Sequence, residues 1–72
     1  MKQTEEYLRQ AAAALPAEET AQVLEYLEHN ELGLALEEMS AIAEARGITT
    51  AEFWRPLAKA GILMVNAIYE ND

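Results

Sequence analysis

The chain holds one histidine (His29), one serine (Ser40), one aspartate (Asp72) and no cysteine. A nucleophile needs a base within reach and a third group to orient that base. Ser40, His29 and the terminal Asp72 do not assemble into such a set. The missing cysteines exclude a disulfide scaffold, a thiolate metal site and cysteine catalysis. Glutamate is plentiful, and glutamate-rich helices can hold two irons, but those sites need a Glu-x-x-His spacing. Glu25 lies four residues before His29 and Glu28 is adjacent to it, so the spacing fails. Neighbouring carboxylates such as Glu37 and Glu38 diverge on a helix. No phosphate-binding glycine loop, GxGxxG, HExxH or calcium loop is present. His29 reads as a helix-end residue rather than a ligand. The expectation is a protein that is not an enzyme and binds no metal or cofactor.

The elements that position these side chains are short. Seventy-two residues form one small domain at most. A chain of this size buries only about 60% of its unfolded surface, so its fold must be well idealised or be completed by a partner. Glu, Ala, Leu, Gln and Met dominate and favour helix. No segment alternates apolar and polar residues with β-branched enrichment, so no strands are expected. No segment approaches the roughly 20 apolar residues of a membrane span, and no signal core follows Lys2. A cytoplasmic location is expected.

The pattern predicts an all-α, small four-helix bundle with short loops. It forms a single helical domain over 1–72, with helices near 5–15, 17–29, 31–46 and 50–69. Thr4 is the expected cap of the first helix, followed by Glu5 and Glu6 at the positive end. Tyr7, Leu8, Ala11, Ala12 and Leu15 share its inner face. Pro16 ends that helix or starts the next. Thr20, Val23, Leu24 and Leu27 face inward on the second. Asn30 is the expected cap of the third, whose inner face is Leu32, Ala35, Leu36, Met39, Ile42 and Ala43. Gly47 should stop it.

Thr49 and Glu52 have capping-box spacing for the fourth helix, and Pro56 should kink it near Glu52. At about 100° per residue its apolar side chains cover an arc of roughly 220°, wider than the about 100° a surface helix needs. This helix is central to the bundle or carries an interface of its own. Trp54, Ile62, Val65 and Tyr69 would form that second interface, and a homodimer is one way to use it.

The formal charge is −8, from 13 acids and five bases. Residues 10–45 hold Glu18, Glu19, Glu25, Glu28, Glu31, Glu37, Glu38 and Glu44 and no Lys or Arg. The remainder of the chain is neutral. Leu34, Ala41 and Ala45 form a narrow apolar strip on the third helix, with Glu37 and Glu44 on one side and Glu38 on the other. An apolar anchor ringed by one sign of charge suits a steered protein interface. The net charge argues against nucleic acid as the partner, since phosphate requires a cationic face.

The segment from Tyr26 to Met39, and within it Glu31-Leu32-Gly33-Leu34-Ala35-Leu36-Glu37, resembles the MafI-type family of small, acidic, all-helical bacterial immunity proteins. The helix start Ile48-Thr49-Thr50-Ala51-Glu52 is similar to the family's second half. The resemblance implies a cognate inhibitor of a polymorphic toxin, often a nuclease. Glu25, Tyr26, Glu28, Leu34, Glu37, Glu38 and Glu44 are then the candidate partner contacts. The alternative is a self-associating bundle or an antitoxin-like adaptor that blocks no toxin cleft.

Overall fold

The computed structural model describes residues 2–70, and side-chain environments through residue 68. Four α-helices follow one another: α1 (Lys2–Ala13), α2 (Ala21–Glu28), α3 (Leu32–Arg46) and α4 (Ala51–Glu70). A single 3₁₀ turn, Ala17–Glu19, lies between α1 and α2. There is no strand among the described residues. α1 packs along α4, α2 packs against α3, and α1 also touches α3 where the two pairs meet. The described residues fit within 37 × 24 × 17 Å.

The stripes that drive this packing repeat every three to four residues. On α1 the buried stripe is Thr4, Leu8, Ala11 and Ala12, and Leu15 continues it beyond the helix. Thr4 is therefore an interior residue of α1, not its cap. It lies four residues before Leu8 on the buried face, and the helix begins earlier, at Lys2. The last turn of α1 tightens, with Ala14 and Leu15 amides donating three residues back to Ala11 and Ala12 at 3.0 and 3.1 Å. Pro16, at φ −57° and ψ 131°, then turns the chain out of the helix.

The expected helix over 17–29 is divided. The Thr20 hydroxyl donates to the Ala17 carbonyl at 2.9 Å. Its backbone sits at φ −97° and ψ −1°, which breaks the ladder, and α2 starts afresh at Ala21. Such local side-chain bonding competes with helix propagation. Thr20, Val23 and Leu27 are buried as expected, whereas Leu24 is 42% exposed. With about 100° between successive residues, Leu24 is turned off the narrow Val23–Leu27 stripe. It lines a shallow apolar groove with Ala12, Leu15, Ala17 and Thr20.

Asn30 does not cap α3; it ends α2. Its φ is +57°, a left-handed conformation that asparagine tolerates better than most residues. The Glu31 amide donates to the Tyr26 carbonyl at 2.8 Å and the Asn30 amide to Leu27 at 3.2 Å. This pair of bonds is the Schellman closure. Glu31 then opens α3, its carbonyl accepting from Ala35 at 3.1 Å.

The same closure ends α3. Gly47 stands at φ +66°, and the Ile48 amide donates to Ala43 at 2.9 Å. Nothing lies within 4 Å of the position where a Cβ at residue 47 would be. A Gly47→Ala variant therefore meets backbone strain alone. It should lose about 1–2 kcal/mol, read as a lower urea midpoint with an unchanged slope. An unchanged midpoint would refute this account of the turn.

The start of α4 is shifted by one from the expected capping box. Thr50, not Thr49, presents the first helical carbonyl, which accepts from Phe53 at 3.2 Å and Trp54 at 3.1 Å. The helix continues through Pro56 without interruption, and Pro56 is itself buried. Phe53, Leu57 and Ala60 bury the first half of α4. In the second half Met64 still packs against the core, while the far side emerges from the bundle: Ile62, Val65 and Ile68 are 60%, 49% and 66% exposed. The wide apolar arc thus serves two purposes in succession along one helix.

Candidate interaction surface

The block of glutamates in the sequence folds as a unit because it coincides with the 3₁₀ turn, α2 and α3. Residues 17–46 carry eight acids and one base, Arg46. α1 and α4 carry four acids (Glu5, Glu6, Glu52, Glu70) and four bases (Lys2, Arg9, Arg55, Lys59). Packing α1 on α4 and α2 on α3 converts this order in the sequence into one acidic pair and one neutral pair of helices.

Compensation within the acidic pair is local. Glu19 receives two hydrogen bonds from the Arg46 guanidinium, one from Nε at 2.9 Å and one from Nη2. The bond that Arg46 donates to Glu19, and the charge of Glu19, raise the Arg46 pKa above its ordinary value, with a smaller contribution from Glu18. This pair ties the 3₁₀ turn to the end of α3. On the neutral pair, Arg9 bonds Glu5 at 2.9 Å, and the Lys59 ammonium lies 5.5 Å from the centroid of the Tyr7 ring.

Most of the candidate contacts are accessible. Glu25, Glu28, Glu37 and Glu44 are exposed and Glu38 is half-buried. Leu34 is 46% exposed, and Ala41 and Ala45 beside it are exposed too, so the apolar strip on α3 faces outward. Tyr26 differs. It is half-buried against the core, and its carbonyl takes part in the closure of α2. Its ring is a wall of the bundle rather than a free anchor, because α2 turns that side toward the partly buried rim of the core.

Gly33 adjoins Leu34 near the start of α3. A Cβ there would meet Met64 Cε at 3.8 Å, an ordinary contact. The fold therefore does not require glycine at 33, and the bare backbone leaves the helix surface open next to the exposed leucine. Periodicity in the sequence did not mark this feature as part of a surface.

The residues expected to form a second interface separate. Trp54 is half-buried; its Nε1 donates to the Ile48 carbonyl at 2.7 Å, and its ring meets Phe53 edge-on at a centroid distance of 4.7 Å. It staples the α3–α4 turn and does not belong to an outer face. Ile62 and Val65 are exposed. The Tyr69 side chain lies outside the described residues. His29 is exposed and closes α2 through its backbone amide, which donates to Glu25 at 3.1 Å. Among the described residues, no group of three or more histidines or acids is placed to hold a metal ion, and no helix is long and apolar enough to cross a membrane. Comparison with protein-family models, with curated proteins and with solved structures finds no match.

Proposed function

We propose that this chain is an immunity protein of the MafI type, which binds and neutralises a cognate toxin domain in the cytoplasm. The observation that carries the reading is the segregation of charge: α2, α3 and the turn before them hold a net −7, while α1 and α4 together hold none. The Tyr26–Met39 resemblance runs through the same two helices. A nuclease toxin needs a cationic cleft to bind phosphate. An anionic helical surface is steered to such a cleft and competes with its substrate. Residence would depend on a few desolvated anchors, for which the exposed Leu34 and its alanine neighbours are suited.

Capture of the tagged chain's partner from its native cell in mild salt, followed by mass spectrometry, tests this reading. The expected partner is a basic toxin domain whose lethality in a naive host is suppressed by co-expression of this chain. A captured partner that is acidic, or a basic one whose toxicity persists on co-expression, would overturn the proposal.

A further inference from the structure

The first half of α4 is consumed by the core, but a second stripe runs along its opposite side. Taking about 100° per residue, the buried Phe53, Leu57 and Ala60 lie within roughly 60° of one another. Ala58, Ile62 and Val65 are centred on the opposite side of the same helix. All three are exposed, Ile62 and Val65 by 60% and 49%. Their spacing, four residues and then three, is that of a coiled-coil seam. Arg55 extends the seam toward the start of the helix and Lys59 flanks it, while the helix ends at Glu70.

We propose that this outer face of α4 pairs two copies of the chain in antiparallel fashion, Ile62 of each packing on Val65 of the other. Two features favour a second copy as the occupant. The first is charge. The α2–α3 pair is acidic, so two copies repel one another wherever α2 or α3 would meet. The α1–α4 pair is neutral and is the side on which copies can approach. The second is direction. Antiparallel pairing opposes the two helix dipoles and carries the Arg55–Lys59 segments of the two copies to opposite ends of the seam. Parallel pairing would place Arg55 beside Arg55. The resulting dimer holds its two acidic helix pairs away from the seam, so each remains free for a cationic partner. The seam is narrow beside the about 800 Å² per partner of a standard interface, so the dimer is expected to be concentration-dependent.

Sedimentation equilibrium from ~10 µM to ~1 mM reads this directly, over a range suited to a micromolar dissociation constant. The expected result is a monomer–dimer equilibrium that survives added salt, because screening relieves the net repulsion between copies. An Ile62→Glu, Val65→Glu double variant should weaken association about 100-fold or more while keeping its helical circular dichroism, since both positions are exposed. The chain has no cysteine, so single cysteines report geometry. A mixture of Ile62→Cys and Val65→Cys chains should form the disulfide-linked heterodimer on oxidation in preference to either homodimer, and Ala51→Cys should not cross-link. A monomer throughout the range, a dimer untouched by the double variant, or efficient cross-linking through Ala51→Cys each overturns the proposal. A monomer whose toxin capture fails in the double variant would instead assign the face to the toxin. Dimerisation that strengthens with salt and toxin binding that weakens with salt keep the two proposals separable.

Discussion

Replacing Phe53 with alanine is expected to remove about 3–5 kcal/mol of stability. Phe53 is the largest of the fully buried side chains. It lies in the first turn of α4, its ring edge-on to Trp54, on the stripe that Leu57 and Ala60 continue into the core. A domain of this length has about 4–11 kcal/mol in total, at the usual 0.05–0.15 kcal/mol per residue. The variant would therefore lose a large share of its stability. Its melting temperature should fall by roughly 12–40 °C, given about 4–8 °C per kcal/mol for a domain this small. Trp54 is the only tryptophan, so its fluorescence and the far-ultraviolet circular dichroism can follow the same transition. Ile68→Ala, fifteen residues further along the same helix and 66% exposed, is the internal control and should cost less than about 1 kcal/mol. If the two variants melted together, the division of α4 into a buried half and an outer half would be wrong.

That division shows where sequence reasoning reaches its limit. The width of the apolar arc on α4 was legible from the spacing of Phe53, Leu57, Ile62 and Val65. A helical projection discards position along the axis, however. It therefore could not separate a helix that is central throughout from one that is central first and exposed afterward. Asn30 illustrates a different limit. Asparagine suits both the start of a helix and a left-handed stop, and only the Glu31-to-Tyr26 hydrogen bond decides between them. Threonine followed by glutamates looks like a cap at Thr4, but its place on the Thr4–Leu8–Ala11 stripe outweighs that local signal. Gly47 is legible because glycine after a basic last turn has little other use. The charged surface was the most legible feature of all. Its carboxylates occupy one continuous block of the chain, and that block folds into adjacent helices. Tyr26 and Trp54 were not legible as wall and staple, since an aromatic at the edge of a stripe can turn either way and its neighbours on other elements decide.

Under the proposed function, reversing Glu25, Glu28, Glu37 and Glu44 to lysine should slow association with the toxin partner about 100-fold or more at low salt. Each change adds two positive charges, so the four bring the formal charge from −8 to zero. Steered association proceeds near 10⁸–10⁹ M⁻¹s⁻¹ and unsteered association near 10⁵–10⁶, as typical orders of magnitude, which sets the expected size of the effect. The fold should tolerate the substitutions. All four side chains are exposed, lysine and glutamate have similar helix propensities, and an exposed substitution usually changes stability by less than about 0.5 kcal/mol. Arg46 and Glu19 are left in place, so the tie between the 3₁₀ turn and α3 persists. The wild-type rate should fall steeply as ionic strength rises, because the Debye length shortens from about 30 Å at 0.01 M to about 8 Å at 0.15 M. The reversed variant should show almost no salt dependence. Stopped-flow binding at several salt concentrations separates this from a loss of anchoring: removal of steering lowers the association rate, whereas Leu34→Ala should act mainly on dissociation. Equal association rates for wild type and the fourfold variant at low salt would leave the acidic helix pair without a role in recognition. Leu34 and the other apolar positions would then have to account for both encounter and residence.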